Sequence, residues 1–249
     1  KDTIYPALII SSPLNSTYNT NSVLINFTAD SYQSLWYYNG TTNRTYISAE
    51  TIIVNQGNNL FRFYANDSAG NLNSSSVNFF IDSIYPQISY ATGTSADTAN
   101  LSQSNIYIIV SVTESNEDTI TFLLHNSTGQ VNSTSYADST RTINWTSLAD
   151  AIYTYNITVN DTAGNSNTTA TRTITLDTII PIISFSCSKS SLIAGETLSC
   201  SCSATDNLDS SPSVSYTANP STSNIVAFTT TCSATDYTGN LASSNFSYT

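Results

Sequence analysis

Hydrophobic and polar residues alternate along short stretches of this chain, and one such stretch occurs three times. The copies lie at residues 61–71, 155–165 and 230–240, and each ends in an Asp-Xaa-Xaa-Gly-Asn sequence. A period of two indicates a β-strand with one inward face, and the Gly allows the positive φ of a tight turn. The pattern therefore predicts a chain built from tandem repeats of one strand-and-turn unit.

A second alternating stretch precedes each copy. Its apolar positions are Val23, Ile25, Phe27 and Ala29, then Ile106, Ile108, Val110 and Val112, and finally Leu198, Cys200, Cys202 and Ala204. Further strands are predicted at residues 34–38, 46–54, 77–81, 119–124, 141–148 and 171–176. About seven short strands per repeat, with turn residues between them and no helical periodicity, are typical of an all-β sandwich.

Each repeat begins with an Asp-Xaa-Ile-Xaa-Pro sequence, at residues 2–6, 82–86 and 177–181. Proline fixes its own φ and favours an extended residue before it, which suits a short stiff connection. These sequences predict three domains, at residues 1–82, 83–177 and 178–249, arranged as an elongated rod. Because the chain starts at such a sequence and contains no Met, we expect it to be a segment of a longer protein.

The chain is acidic but sparsely charged, with a net charge of −11 and only 9% charged residues, whereas an average soluble protein has about 25%. Its six basic residues are scattered, so we expect no nucleic-acid binding, which needs clustered Lys or Arg. No apolar run approaches the roughly 18 residues that span a bilayer, so no membrane span is predicted within this segment. Ser, Thr and Asn supply the polarity instead, which is common where attached sugars help to solvate a surface.

Several motifs together resemble a known family. They are Ser-Pro-Leu-Asn-Ser-Thr-Tyr at residues 12–18, Trp-Tyr-Tyr-Asn-Gly at 36–40, the Asp-containing turns and the Asp-Xaa-Ile-Xaa-Pro sequences. This combination resembles the tandem immunoglobulin-like repeats of prokaryotic, especially archaeal-type, cell-surface proteins, and the third repeat resembles their cysteine-bearing members. The resemblance covers essentially the whole chain. It implies immunoglobulin-like β-sandwiches and a role in surface display, adhesion or assembly, with no catalytic residues to transfer.

All four cysteines lie in the third repeat: Cys187, Cys200, Cys202 and Cys232. An even number in a small domain favours disulfides and an oxidising location, although four cysteines allow three connectivities. Cys202 and Cys232 occupy positions where the first repeat has inward-facing Phe residues on facing sheets. We therefore predict Cys202–Cys232 across the core and Cys187–Cys200 between neighbouring strands. A zinc site is less favoured, because the Cys-Xaa-Cys spacing has no partner motif and no His is nearby.

Asparagine-linked glycans are the second predicted modification. The Asn-Xaa-Ser/Thr sequence occurs at Asn15, Asn26, Asn39, Asn43, Asn66, Asn73, Asn100, Asn126, Asn132, Asn144, Asn156, Asn160, Asn167 and Asn245. This number only modestly exceeds what the abundance of Asn, Ser and Thr produces by chance. Asn26 and Asn156 lie between apolar residues of alternating strands, which places both on the solvent face. We therefore expect covalent glycans at several of these positions.

The repeated aspartates raise the possibility of calcium binding. Asp67, Asp161 and Asp236 recur near strand ends, and Asp82 and Asp177 begin the second and third repeats. Calcium needs six to eight oxygen ligands, whereas each of these places offers one or two carboxylates in sequence. Asp and Asn are also good turn residues, because they bond their own backbone. The sequence therefore favours structural turns, with no metal or other cofactor.

Aromatic and catalytic candidates are few. Trp36, Tyr37 and Tyr38 could form a sugar-stacking platform, but a Trp on the third strand of an immunoglobulin-like sandwich usually lies in the core. We predict core positions for Trp36 and, by its phase with Ile143, for Trp145. His125 is the only imidazole and has no acidic residue close to it in sequence, so no enzyme activity is predicted.

The sequence as a whole predicts a non-catalytic extracellular structural protein. It would be a repeat segment of a surface layer or stalk, or the subunit of a filament whose terminal strands, at residues 7–10 and 243–248, pair with neighbouring subunits. Partners would be copies of itself or other surface proteins. The alternative is an adhesin or glycan-binding module using Tyr64, Tyr90 or residues 206–212. A segment of a surface hydrolase would need a catalytic domain outside these residues.

Overall fold

Regular structure in the computed structural model, which describes residues 2–193, 195–217 and 228–249, consists of β-strands. The strands fall into three groups in chain order, called here the first, second and third repeats. Within the described residues, backbone pairing joins strands of the same repeat only. No helix in that part of the chain is long and apolar enough to cross a bilayer. The prediction of an all-β fold is therefore confirmed.

Eight strands form the first repeat. They are β1 (Leu8–Ser12), β2 (Thr17–Tyr18), β3 (Ser22–Ala29), β4 (Ser34–Tyr38), β5 (Asn43–Thr45), β6 (Glu50–Ile53), β7 (Gly57–Asn66) and β8 (Leu72–Ile81). One sheet has the order β1-β3-β6, and the other has the order β2-β8-β7-β4-β5, with β2 parallel to β8. Lettered along the chain, these sheets are A-B-E and A′-G-F-C-C′, which is an immunoglobulin-like arrangement.

The second repeat has the same strand order. Its strands are β9 (Gln87–Tyr90), β10 (Ala99–Leu101), β11 (Ile106–Thr113), β12 (Glu117–Asn126), β13 (Gly129–Tyr136), β14 (Thr142–Trp145), β15 (Ala151–Asp161), β16 (Ser166–Thr168) and β17 (Arg172–Leu176). The sheets have the orders β14-β11-β9 and β10-β17-β15-β12-β13, and β16 also pairs with β15. Two repeats with one topology confirm that the same local pattern builds the same sandwich.

The third repeat has fewer strands among its described residues. They are β18 (Ile182–Cys187), β19 (Cys200–Thr205), β20 (Ser213–Tyr216), β21 (Phe228–Thr235) and β22 (Leu241–Tyr248). Strands β18 and β19 form one sheet, and β20, β21 and β22 form the other. The predicted strand that begins at Leu198 starts two residues later, although Leu198 itself is buried.

The cores of the first two repeats arise from the alternation in their sequences. In β3 the buried residues are Val23, Ile25 and Phe27, and in β11 the first three apolar positions are buried in the same way. Each repeat has its own cluster of buried apolar side chains. Full burial of a large side chain of this kind stabilises a fold by about 1.5–3 kcal/mol. Each sandwich therefore has the means to fold around its own centre.

The two tryptophans differ in how well alternation predicted their burial. Trp36 is only half-buried and lies on the outer face of β4, because Leu35 and Tyr37 take the inward positions, so its predicted core position is wrong. The buried Tyr37 keeps its hydroxyl paired by donating a hydrogen bond to Glu50 Oε1 (2.8 Å). Trp145 is 6% exposed and belongs to the core of the second repeat, as predicted.

Candidate functional site

The recurring turn is built around an Asp carboxylate. In the first repeat, Oδ1 of Asp67 accepts hydrogen bonds from the backbone N–H of Ala69 (2.9 Å) and Asn71 (2.8 Å). Asp161 and Asp236 accept the equivalent bonds in the other two repeats. The Gly within each turn has a φ between 87° and 93°, which other residues adopt only with strain. The sequence pattern therefore encodes a fixed turn that ends on an Asn.

That Asn binds the segment which begins its own repeat. Nδ2 of Asn165 donates to the backbone oxygens of Asp82 (2.8 Å) and Ile84 (3.4 Å). Asn240 makes the equivalent bonds, 2.8 Å and 3.2 Å long, at residues 177–181. We call residues 82–86 the first junction, residues 177–181 the second junction, and each set of bonds a junction clamp. The turn is thus a connector as well as a reversal of the chain.

The aspartate that begins each junction is bonded on both sides. The backbone N–H of Asp82 donates to the oxygen of Tyr18 in the first repeat (2.9 Å), while its own oxygen accepts from the clamp of the second. Asp177 does the same, donating to Leu101 in the second repeat (3.1 Å) and accepting from the third. Both aspartates are buried, with exposures of 5% and 0%. Each of these aspartates therefore bonds to both of its neighbouring repeats.

Three carboxylates converge at each junction. At the first junction Asp82 meets Glu114 and Asp161, with one oxygen of each lying within 4.8 Å of the others. At the second junction Asp177 meets Asp206 and Asp236 at equally short distances. In each cluster the first member begins the junction, the second directly follows β11 or β19, and the third comes from the recurring turn. These are oxygen ligands of the kind that hard divalent cations prefer.

Hydrogen bonds satisfy the carboxylates at the first junction. Asn116 Nδ2 donates to Asp82 Oδ2 (2.7 Å), and Asp82 Oδ1 accepts from the N–H of Ile84 (3.3 Å). Glu114 accepts from the N–H of Asn116 (2.7 Å). A cleft of about 300 Å³ lies beside this cluster and is lined by residues of both adjoining repeats.

The second junction is satisfied less completely. Asp177 Oδ1 accepts from the N–H of Ile179 (3.1 Å), but its Oδ2 is buried without a hydrogen-bond partner. Burial, followed by the charges of Asp206, Asp236 and Asp150, raises the pKa of Asp177. The ionised form of this carboxyl is therefore held in an unfavourable environment.

The turn aspartates have lowered pKa values where a shift is resolved. A side-chain hydrogen bond from Asn71 is the main cause of the lowered pKa of Asp67. For Asp236, burial acts to raise the pKa, but hydrogen bonds from Thr238 and Asn240 outweigh it and the pKa is lowered. The turns thus stabilise charged carboxylates within the fold.

A second candidate surface lies on the outer face of the first repeat. The rings of Trp36 and Tyr64 stack with centroids 5.2 Å apart and planes 7° apart. A cleft of about 340 Å³ next to them is lined by Tyr38, Asn43, Leu60, Arg62 and Tyr64. Flat aromatic faces bordered by polar groups can stack against the apolar faces of other rings.

Other candidates from the sequence lie elsewhere. Tyr90 is held within the second repeat: its hydroxyl donates to the oxygen of Ala170 (2.8 Å), and the Arg172 guanidinium lies 4.0 Å from its ring centroid. Burial raises the pKa of Tyr90 to about 12. His125 lies in β12 and belongs to neither carboxylate cluster of the described residues. Residues 206–212 contribute Asp206 to the second junction.

The structure contains two disulfides, Cys187–Cys200 and Cys202–Cys232. Cys187 and Cys200 lie directly opposite each other on β18 and β19, whereas the second bond joins β19 in one sheet to β21 in the other. Both bonds belong to the third repeat, which has the fewest large buried side chains among its described residues. Such bonds restrict the unfolded chain and stabilise a small domain.

The sequon asparagines are all at least partly exposed. The exposed ones are Asn15, Asn43, Asn100, Asn144 and Asn245, and the other nine are half-buried. Some half-buried members already use their amide nitrogen: Asn73 and Asn167 donate to the oxygens of Pro6 (2.9 Å) and Pro86 (2.8 Å). The five exposed positions therefore offer the most room for an attached sugar.

The sequence did not predict that Glu114 and Asp206 complete the clusters, although residues 206–212 were considered as a binding region. Glu114 directly follows β11 and Asp206 directly follows β19, and the fold brings each to its junction. The signal that could have found them was positional: each directly follows the end of a strand that is predicted in every repeat. The clamp asparagines recur at the same position of the repeated sequence, but their bonds to the junction were not predicted.

No family model and no curated protein matches the sequence. Solved structures do match. One is the tetra-tandem repeat in the extending region of a large adhesion protein, with 18% identity and a TM-score of 0.42 over 100% of this chain and 75% of that chain. A 1.5-MDa bacterial ice-binding adhesin has 15% identity and a TM-score of 0.37 over 100% and 98%. The fibronectin(III)-like modules of Clostridium thermocellum CbhA have 15% identity and a TM-score of 0.39 over 68% and 93%.

Proposed function

We propose that the chain is a non-catalytic structural segment of an extracellular surface protein of archaeal type. Its three immunoglobulin-like domains, at residues 1–82, 83–177 and 178–249, would form a rod that holds other parts of the protein away from the cell. The observation that carries this proposal is the junction clamp, in which one Asn fixes the same two carbonyls at both junctions. A flexible linker between independent domains would have no need for such bonds.

The clamp supports a spacer because it restricts bending at every joint. Asp82 and Asp177 each bond to one repeat through the backbone N–H and to the next repeat through the backbone oxygen. Rotation about the junction would therefore break hydrogen bonds of buried groups, each costing about 1–3 kcal/mol. Asn71 makes the same contacts with Asp2 and Ile4. That third copy suits a chain in which one joint geometry is repeated.

Disulfides and sequons support an extracellular location. Four of the five exposed sequon asparagines lie in edge strands: Asn43 in β5, Asn100 in β10, Asn144 in β14 and Asn245 in β22. Unprotected edges of a sheet invite pairing with other chains. Sugars at these positions would shield the edges of an array of sandwiches. Persistent disulfides are also characteristic of oxidising surroundings.

Small-angle X-ray scattering of the purified chain tests the spacer. A compact protein of this length has a radius of gyration of about 18 Å. Three sandwiches in series, each as long as a ten-residue strand of about 34 Å, give about 30 Å. We expect the larger value and a pair-distance distribution with a long tail. A value near 18 Å would overturn the rod.

Intact mass measurement of the protein from its native source tests the location. Reduction should add the mass of four hydrogens, and treatment that removes asparagine-linked glycans should lower the mass by several sugar chains. Peptide mapping should then locate sugars on the edge strands before the half-buried positions. A chain of unmodified mass with free thiols would contradict the extracellular proposal.

A filament is the assembly that this proposal also covers. Strands β1 and β22, the candidates for exchange between subunits, pair within the chain with β3 and β21. Assembly would therefore proceed head to tail through junction contacts, and strand exchange would require one of these pairs to open. Size-exclusion chromatography and negative-stain imaging of the purified chain distinguish filaments from monomeric spacers.

A glycan-binding adhesin is the second candidate function, because Trp36 and Tyr64 form a stacked pair beside a polar cleft. A glycan array should then give a signal that Trp36→Ala and Tyr64→Ala abolish. Tyr107→Ala is the matched control, since Tyr107 is an exposed aromatic of the second repeat. A signal that survives the Trp36 and Tyr64 variants would reject this surface.

A further inference from the structure

The carboxylate cluster of the second junction contains a buried oxygen that the protein does not satisfy. Asp177 is 0% exposed, and its Oδ2 has no hydrogen-bond partner. Oxygens of Asp206 and Asp236 lie within 4.8 Å of this carboxylate and of each other. An unpartnered buried carboxylate oxygen is costly, and two further anionic groups beside it increase the cost.

The amide of Asn207 lies beside this cluster. With its nitrogen turned toward the carboxylates, it donates to Asp206 Oδ1 and Asp177 Oδ1, each at 3.2 Å. Neither bond reaches Asp177 Oδ2, which stays the unpartnered buried oxygen. A divalent cation at the three carboxylates would offset both this unpaired oxygen and the repulsion between the charges.

No basic side chain neutralises the cluster among the described residues. The ion pairs in that part of the chain are Arg141–Glu117 and Lys189–Glu196, and neither includes a member of the cluster. Asp150 adds a further negative charge, since its field acts on Asp177. The cluster therefore lacks the positive partner that buried carboxylates usually have.

We propose that Asp177, Asp206 and Asp236 bind a divalent cation of the calcium class at the second junction. Calcium takes six to eight oxygens with flexible geometry, so carboxylates and water together form a suitable ligand set. Magnesium demands a stricter octahedron and retains more of its water. The partly exposed side of the cluster, at Asp206 and Asn207, leaves room for water ligands.

This cation would join two repeats. Asp177 follows β17 of the second repeat, whereas Asp206 and Asp236 follow β19 and β21 of the third. Binding would therefore hold the second junction closed in addition to its clamp. Extracellular modules commonly bind calcium with dissociation constants of about 10⁻⁴–10⁻³ M, so the joint would respond to the calcium concentration outside a cell.

Isothermal titration of calcium chloride into the full chain, after treatment with a chelator, tests the proposal. We expect one site per chain from this cluster and a rise of about 6–11 °C in the unfolding temperature of the third repeat at ten times the dissociation constant. Asp177→Asn should weaken binding at least tenfold. Its amide keeps the oxygen that accepts from Ile179, so the fold should persist, and circular dichroism checks this.

A second variant and a control keep the test decisive. Asp206→Asn changes a half-buried residue and should also weaken binding at least tenfold, whereas Glu114→Gln, at the first junction, should leave this site unchanged. The proposal is overturned by a wild-type chain that binds no calcium, or by binding that survives Asp177→Asn and Asp206→Asn.

Discussion

The two junctions share one plan but differ in the partner of one carboxylate oxygen. Both begin with a buried Asp, and both gather two more carboxylates around it. At the first junction the nitrogen of Asn116 donates to Asp82 Oδ2, whereas at the second the Oδ2 of Asp177 has no partner. The protein therefore satisfies the junction aspartate at the first junction and leaves one of its oxygens unpaired at the second. A cluster of acids alone does not identify a metal site.

The largest expected effect comes from breaking a clamp. Asn165 is 2% exposed and bonds Asp82, Ile84 and Asp161. Asn165→Ala should lower the free energy of unfolding of the second repeat by about 2–4 kcal/mol, because buried groups lose their partners. Urea unfolding followed by Trp145 fluorescence in a Trp36→Phe background measures this.

Equivalent variants in the other two repeats test whether the loss of stability depends on the burial of the clamp. Asn240→Ala, at a half-buried clamp, should cost the third repeat about 1–2 kcal/mol, and Asn71→Ala should cost the first repeat less than about 1 kcal/mol. Hydrogen exchange of the backbone amides in the recurring turns measures the stability of each of the three repeats. Equal losses in the three variants would show that the clamps do not depend on their burial.

The next effect comes from making the first junction resemble the second. Asn116→Leu removes the amide that donates to Asp82 Oδ2. We expect a loss of about 1.5–3 kcal/mol in chelator, because the bond is to a charged group. Calcium should recover part of this loss. Differential scanning calorimetry with and without calcium measures both changes, and a variant as stable as the wild type would show that the amide does not satisfy the cluster.

A smaller effect with a change of sign is expected at the second junction. Asp177→Asn removes one of three clustered negative charges, so the variant should unfold about 2–4 °C higher than the wild type in chelator. In calcium the order should reverse, because only the wild type retains the full ligand set. Thermal unfolding in the two buffers gives the comparison. If the variant unfolds at the higher temperature in both buffers, Asp177 does not contribute to cation binding.

The smallest effect concerns acid and a turn outside both junctions. Hydrogen bonds, led by that of Asn71, lower the pKa of Asp67 from its usual 3.8. The folded state therefore gains stability from this carboxylate above the usual pKa and loses it as the pH falls through the lowered one. Asp67→Asn should flatten the acid limb of unfolding of the first repeat below about pH 4. A limb unchanged by the substitution would contradict the assignment.

The positions of the strands could be predicted from the sequence, but the contacts between residues at the ends of different strands could not. Alternation at Tyr155, Ile157 and Val159 allows only one buried face, because the residues between them are polar. Alternation at Leu35, Trp36 and Tyr37 has two, since both faces are apolar, and there the wrong face was predicted for Trp36. A period of two sets faces only where the opposite face is polar.

Calcium was disfavoured from sequence because each repeated Asp has one or two carboxylates near it. The further carboxylates of the two clusters are Glu114 and Asp206, which are distant in sequence from the junctions that they approach. Such convergence depends on the sandwich topology rather than on local spacing. The disulfide pairs were accessible because they depend on aligned strand positions within one repeat.

Residual dipolar couplings of the calcium-loaded chain test most directly whether the junctions fix the orientation of neighbouring repeats. The account predicts that amide couplings from the second and third repeats fit one alignment tensor, with the same magnitude and axes. Chelator should reduce that agreement, and Asn240→Ala should reduce it further. Two tensors of clearly different magnitude in the calcium-loaded wild type would show that the repeats move independently and would contradict the account.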